Sequence, residues 1–212
     1  MNIQIIKKRL LDHPKLKDWI HSLLMSEIGA CPRIWIKMFV NPIYFYKWKG
    51  KGSKIRKHTI MNISPINKFR IGEKSVIEYF SLIDNGVGDV LIGSNSRIGL
   101  RNTIIGPVTI GNNTILAQNV VLSGLNHIYN NINIPIRNQG VSKSQIVIGN
   151  GTWIGANAVI TSGVSIGNHC VISGGCVVTK NIPDFCVAVG NPAKIIKQYN
   201  FDQKTWIKLY SK

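Results

Sequence analysis

No apolar run in this chain approaches the roughly 20 residues that a membrane-spanning helix needs, so an integral membrane protein is not expected. The N-terminal MNIQIIKKRLLDHPK has basic residues but neither an apolar core nor a small-residue cleavage site, so no signal peptide is expected. Cysteines are few. Cys31, Cys170, Cys176 and Cys186 lack the paired spacing of a metal site and read as small apolar packing residues. Nothing requires an oxidising compartment, which leaves the cytoplasm as the expected location. Acidic residues are also scarce: 9 Asp and Glu stand against 26 Lys and Arg, a net charge of +17. The imbalance is uneven. Residues 1–57 hold 13 basic side chains against 3 acidic ones, a net of +10, whereas residues 71–192 hold 6 against 5. A nearly neutral middle between basic flanks implies different partners for different parts of the chain.

What the chain does have is a six-residue beat. From Ile71 it divides into IGEKSV IEYFSL, from Ile92 into IGSNSR IGLRNT IIGPVT IGNNTI LAQNVV, and from Ile148 into IGNGTW IGANAV ITSGVS IGNHCV ISGGCV. A helix cannot keep one face buried at period six, because six residues turn it by about 600°. A short strand followed by a corner can. Small residues recur four places after most of the aliphatic ones (Ser96, Thr114, Val120, Thr152, Ala158, Val164, Cys170, Cys176), and strand alternation points both positions inward. Gly and Asn cluster where the chain must turn. The expected fold is mainly β, a parallel solenoid whose coils bury their apolar sides by stacking. Three hexads per coil would set Ile92 on Ile110, Ile98 on Leu116, Ile148 on Ile166 and Ile154 on Ile172. Two places break the beat: DNGVGD holds a three-residue insertion, and a loop at about residues 125–144 projects from the coil. Long loops inside compact repeats are usually functional. Three segments are therefore expected: residues 1–70, a basic, partly helical arm or cap; residues 71–192, the repeat; and residues 193–212, a basic tail in which FDQKTWIKLY reads as a short amphipathic helix.

His127 closes the hexad LSGLNH at the root of the projecting loop. Its imidazole can take a proton from a hydroxyl near neutral pH, although a histidine in a loop can equally be a plain surface residue. His169 sits near a corner, and His13, His21 and His58 belong to the arm.

The hexads resemble those of the hexapeptide-repeat acyltransferases, whose coils are triangular and left-handed. The block IGNGTWIGANAVITSGVSIGNHCVISGGCVVTKNIPDFCVAVGNPAKIIK, residues 148–197, is similar to the C-terminal half of the galactoside, maltose and related sugar O-acetyltransferases. The resemblance covers about residues 71–197. It implies a left-handed β-helix, acetyl-CoA as co-substrate with no metal, a sugar acceptor and a homotrimer with three clefts. VTIGNNTILAQNVVLSGLNH ends in His127 where the family places its catalytic histidine, next to Asn126. The resemblance further implies that the Ala156 backbone N–H meets the oxyanion and that Trp153 lines the site. Gly174 and Gly175 would lie along the pantetheine arm, with Thr179 and Lys180 near the nucleotide end and Lys194 and Lys197 near its phosphates. Trp153 could also be a lipophilic corner residue, and the lysines a solvated face. The chain departs from the family where an Asn and an Asp are expected before the base: these places fall on Arg97 and Ile105. Asp84 and Asn85 could substitute for them, and Arg97 and Arg101 could face an anionic sugar. Carbonic anhydrases of this fold need three histidine ligands, and the repeat supplies only His127 and His169.

The function expected on this basis is acetyl transfer to a sugar hydroxyl in surface-polysaccharide or lipid-linked glycan assembly. An antibiotic or serine hydroxyl as acceptor, or a non-enzymatic β-solenoid, are the alternatives. The stretch CPRIWIKMFVNPIYFYKWKGKGSKIRKH, residues 31–58, interleaves aromatic and basic residues. It would suit contact with an anionic membrane at the cytoplasmic face, or a cap on the first coil. It carries no nucleic-acid-binding motif.

Overall fold

The computed structural model describes residues 49–209 without interruption, together with residues 19, 22–24, 26 and 32–41. Each six-residue unit becomes one short strand and one corner, and three of them make a turn. The first wall stacks Lys54–Ile55, Val76–Ile77, Arg97–Ile98, Ile115–Leu116, Trp153–Ile154 and Val171–Ile172 in parallel. The second wall stacks Ile60–Asn62, Leu82–Asp84, Thr103–Ile105, Val121–Ser123, Val159–Ile160 and Val177–Val178. The third stacks Phe69–Ile71, Val90–Ile92, Val108–Ile110, Ile146–Ile148 and Ser165–Ile166. The fold is a left-handed parallel β-helix of about six turns.

The register is the one that three hexads per coil require: Ile92 pairs with Ile110, Ile98 with Leu116, Ile148 with Ile166 and Ile154 with Ile172. These side chains point into the coil and are buried, each contributing about 1.5–3 kcal/mol by leaving water. The small residues four places on are buried too, and their hydroxyls tie one coil to the next. Ser96 Oγ donates to Gly111 O at 2.8 Å, Thr114 Oγ1 to Gly149 O at 2.8 Å and Thr152 Oγ1 to Gly167 O at 2.8 Å. Cys170, Cys176 and Cys186 are free and buried, as packing residues would be, and burial pushes each thiol up.

Three edges join the walls. The first edge, between walls one and two, holds residues 78–81, 99–102, 117–120, 155–158 and 173–176. The second, between walls two and three, holds 85–89, 106–107, the projecting loop and 161–164. The third returns the chain to wall one.

Two boundaries differ from the sequence reading. The β-helix starts at Lys54 rather than Ile71: Ile55 pairs with Ile77, Met61 with Ile83 and Phe69 with Val90. Inserted residues near Ser64–Lys68 lengthen this coil, and its basic side chains point outward, so it does not show the beat. Among its described residues the tail forms no helix. Lys194–Asn200 runs antiparallel to Cys186–Val189, and Thr205–Lys208 antiparallel to it in turn, extending wall one past the last coil. Tyr199 and Trp206 are cross-strand partners with rings 5.5 Å apart, and Tyr199 also meets Phe201 at 5.2 Å. Aromatic cross-strand pairs of this kind stabilise a hairpin, and here they outweigh the helical spacing read from the sequence.

Candidate functional site

The projecting loop is an ordered β-hairpin. Leu125–His127 pairs antiparallel with Val141–Lys143, setting His127 opposite Val141. Gln139 fastens the tip, its Nε2 donating to Asn131 O at 2.8 Å and Ile134 O at 2.7 Å, while its Oε1 accepts from Asn131 N at 3.0 Å. Lys143 Nζ reaches down two coils to donate to Val87 O at 2.9 Å. The hairpin nonetheless leaves much of its apolar surface uncovered: Ile132 is 94% and Tyr129 70% exposed. His127 is exposed, and no hydrogen bond from the described residues orients its imidazole.

The other residues singled out in the sequence are divided between edges. Asn126 and Asn85 accompany His127 on the second edge, Asp84 ends the wall-two strand that leads into it, and Thr179 and Lys180 lie at the same edge two coils higher. Asn85 is a correction. It is buried, with Nδ2 donating to Ser64 O at 3.1 Å and Asn67 O at 2.9 Å and Oδ1 accepting from Ser64 N at 2.6 Å. It locks the insertion of the first coil onto that of the second and cannot touch an acceptor. Asp84 accepts from Gly86 N at 2.7 Å and from Asn62 Nδ2 at 3.3 Å.

Ala156, Gly174, Gly175 and Arg101 lie on the first edge, and Trp153 and Arg97 on the adjoining first wall. Trp153 stands on a flat wall rather than a corner, 52% exposed, in an outward row running Lys54, Val76, Arg97, Ile115, Trp153 and Val171. Arg97 is engaged already, its Nη2 lying 2.7 Å from Glu78 Oε1. The hydrogen bonds that stack the first edge run from one coil to the next: Gly175 N to Ala156 O at 2.7 Å, Asn157 N to Gln118 O at 2.9 Å, Asn119 N to Leu100 O at 2.9 Å and Arg101 N to Tyr79 O at 3.1 Å. Ala156 N–H meets no acceptor among the described residues, so it can donate to a group outside the coil. Gly155 is required for the packing, because a Cβ there would run into the backbone of Gly174. Gly175 is left-handed (φ 69°) with open space where a side chain would be. Lys194 and Lys197 lie on the strand that extends wall one.

Between these two edges lies the second wall. Its central outward row is Ile60, Leu82, Thr103, Val121, Val159 and Val177, without a charge. Two grooves lie elsewhere, on the third wall. They measure about 620 and 540 Å³, and their lining includes Asn112, Asn150 and Asn168, which are already bonded between coils, but neither His127 nor Trp153. Among the described residues, no three His, Cys, Asp or Glu side chains come together as a metal site would need. No helix among them is long and apolar enough to cross a membrane.

Comparison with known proteins follows the same coils. Residues 89–123 match the family model for the hexapeptide repeat of succinyl-transferase, and residues 145–180 that for the bacterial transferase hexapeptide (six repeats). The chain is 39% identical over 136 residues to the galactoside O-acetyltransferase of Escherichia coli K12, covering 61% of this chain and 64% of that one. It is 38% identical over 132 residues to WbbJ of the same organism, named a lipopolysaccharide biosynthesis O-acetyl transferase, covering 58% of this chain and 67% of that one. The match thus spans about two thirds of these relatives' length. Among solved structures, AntD, an N-acyltransferase from Bacillus cereus in complex with dTDP and 3-hydroxybutyryl-CoA, shares the fold with a TM-score of 0.63 at 19% identity, over 77% of this chain and 90% of that one. A maltose O-acetyltransferase from Clostridium difficile 630 superposes with a TM-score of 0.51 at 24% identity, over 89% and 87%.

Proposed function

This chain belongs to the hexapeptide-repeat transferase family, and from that premise we propose that it is an acetyl-CoA-dependent O-acetyltransferase acting on a sugar hydroxyl. One observation carries the proposal: His127 and the bare strip at Ala156, Gly174 and Gly175 occupy the two edges that flank the second wall, whose central outward row carries no charge. Within one copy they cannot meet. Three copies packed by that wall about a threefold axis set each first edge against a neighbour's second edge, so three clefts form, each with a base on one side and a strip for the donor on the other. Closed cyclic assembly is the ordinary way to bury equal surfaces. It also gives the exposed side chains of the hairpin, Ile132 and Tyr129 among them, something to cover them.

In such a cleft the pantetheine arm of acetyl-CoA lies along Gly174 and Gly175, where no side chain intervenes. Trp153 flanks it, Thr179 and Lys180 lie towards the nucleotide, and Lys194 and Lys197 approach its phosphates. His127 takes the proton of the acceptor hydroxyl as the oxygen attacks the thioester carbon. The oxyanion accepts a hydrogen bond from Ala156 N–H, a donor already fixed in place. Collapse expels the CoA thiolate, which takes the proton back from the imidazolium. Holding both substrates in one cleft removes much of the entropic barrier. Asn126, Asp84, Arg97 and Arg101 remain as acceptor contacts. The test is incubation with acetyl-CoA and a panel of sugar, aminoglycoside and serine acceptors while free thiol is followed. Release with sugars supports the proposal, release with the others alone redirects it, and failure to bind CoA leaves a non-enzymatic solenoid.

A second element of the proposal concerns location. The chain would work in the cytoplasm on surface-polysaccharide or lipid-linked glycan, with its arm against the inner face of the membrane. Residues 31 and 42–48 of this stretch lie outside the described residues, but residues 34–41 are helical and expose Ile34 (76%), Trp35, Met38 and Phe39 (66%). Apolar and aromatic side chains set among basic residues favour an anionic interface. Flotation with liposomes of graded anionic content should rise with charge and fall with salt. No flotation at low salt would leave only a cap.

A further inference from the structure

The first edge changes character along its length. Reading down from the last coil, one column of corner positions runs Gly174, Ala156, Gln118, Leu100, Tyr79 and Lys57, and the next runs Gly175, Asn157, Asn119, Arg101, Phe80 and His58. Every residue of the second column is left-handed, with φ between 56° and 69°. Glycine and asparagine suit that conformation, and they fill it in the upper three coils. Bulky side chains do not, yet the lower three coils use Arg101, Phe80 and His58. The rings of His58 and Phe80 stack 5.4 Å apart, only 11° from parallel. Tyr79 lies beside them, 6.4 Å from Phe80, with the Arg56 guanidinium 5.8 Å over its ring. Phe80 is 55% and Tyr79 39% exposed. Between the bare upper strip and this aromatic end lies a groove of about 380 Å³ lined by Glu78, Arg97, Leu100, Ile115, Ala117 and Gln118.

We propose that Tyr79, Phe80 and His58 form a platform for sugar rings beyond the one that is acetylated, so that the acceptor is an oligosaccharide rather than a single sugar. The inference rests on the transferase reading, which places the donor on the upper coils of the same edge. Coils are about 4.8 Å apart, so Phe80 lies about 14 Å below Ala156, farther than one sugar ring spans. Aromatic faces take the apolar faces of sugar rings, while Lys57 and Arg101 offer donors to hydroxyls at the rim. The groove supplies the path between platform and reacting hydroxyl. A second copy's hairpin is the competing occupant of these rings, and the experiment separates the two.

The test uses the full chain, acetyl-CoA and three ladders of neutral probes from disaccharide to hexasaccharide: malto-, chito- and galacto-oligosaccharides. Thiol release gives kcat/KM at each length, and saturation-transfer NMR gives sugar binding without acetyl-CoA. We expect kcat/KM to rise at least tenfold from disaccharide to tetrasaccharide on the preferred ladder. Phe80→Asn places at this corner the residue found at positions 119 and 157, so it should melt no lower than the parent, yet it should remove most of the rise through KM rather than kcat. Tyr79→Ala should do the same. NMR should show the aromatic protons of the platform in contact with the longer probes only. Turnover without length dependence overturns the platform and leaves the transferase reading standing, and so do variants that act equally at all lengths or that change the assembly in sedimentation. Length-dependent binding to the parent but not to the variants, without any acetyl transfer, sustains the platform and overturns the transferase reading.

Discussion

The two edges that flank the second wall are built on opposite plans. The first edge is unbroken, each coil adding one pair of corner residues at the same place, so that Gly174 stands over Ala156 and Ala156 over Gln118. The second edge holds the insertions: Ser64–Lys68, Asn85–Asp89 and the hairpin with His127. A regular edge presents an evenly spaced strip, which suits a long, thin ligand lying along it. An interrupted edge can send one side chain away from the coil, which suits a single base that must stand off from the wall. In the proposed assembly of copies, repetition would supply the dock and interruption the reagent.

The sharpest break in that comparison is His127→Ala. If the second edge supplies the base, turnover should fall by two to four orders of magnitude, roughly the contribution of a general base, while circular dichroism and CoA binding stay unchanged. Near-normal turnover would remove the hairpin from the chemistry. The first edge is tested by Gly175→Asn. Asparagine tolerates the left-handed conformation and stands there in Asn157, so melting should move little. Its side chain would nevertheless fill the strip, and KM for acetyl-CoA should rise about tenfold, or ~1.4 kcal/mol. A smaller effect is expected from charge. Lys180 belongs to the second edge and Lys194 and Lys197 to the end of wall one, so they face one cleft only across two copies. Changing each to Ala should raise KM for acetyl-CoA a few-fold and leave KM for the acceptor alone, and added salt should have the same bias. Equal effects on both substrates would return these lysines to a solvated surface.

The legible parts of the molecule are those where the beat survives. Inward residues at 92, 98, 104, 110, 116 and 122, and again from 148 to 178, are buried in the predicted register because nothing local competes with period six. Where insertions shift the phase, the reading stops short: Ile55 and Met61 belong to the first coil but lie among Lys54, Arg56 and Lys57 and before the Ser64–Lys68 bulge. The tail misled for a related reason. FDQKTWIKLY has helical spacing, and its pairing with Lys194–Asn200, with Trp206 set against Tyr199, makes it a strand, which is a tertiary effect. Asn85 shows the same limit at the scale of one residue. Its position in DNGVGD suggests an exposed turn, and only the neighbouring coil shows that its amide is used internally. Nor does periodicity say which edge a corner residue joins. The division of Ala156 and His127 between edges emerges only when the coils are stacked and the walls counted.

The third edge serves as the control for the other two, because no chemistry is assigned to it. It carries its own ladder: Asn112 Oδ1 accepts from Ser94 N at 2.7 Å, Asn150 Oδ1 from Asn112 N at 2.8 Å, Asn168 Oδ1 from Asn150 N at 2.8 Å and Asp184 Oδ1 from Asn168 N at 2.7 Å. The backbone N–H of Asn168 first, and its side-chain amide second, hold the Asp184 carboxyl below the usual carboxylate value, since both bonds favour the charged form. A group whose value is lowered by folding stabilises the fold above its unfolded value, and that contribution disappears as pH falls through the lowered one. The stabilisation should therefore be complete at neutral pH and vanish below the ordinary carboxylate range. Asp184 is exposed, so water screens the effect and it should be the smallest of the series. Asp184→Asn keeps an acceptor for Asn168 N but carries no titrating charge. Melting temperature measured from pH 7 downward should fall slightly more steeply for the parent than for the variant, with the two curves converging in acid, while kcat and both KM values at neutral pH remain equal. A change in kcat would show that the third edge is no bystander, and the contrast between a docking edge and a reacting edge would have to include it.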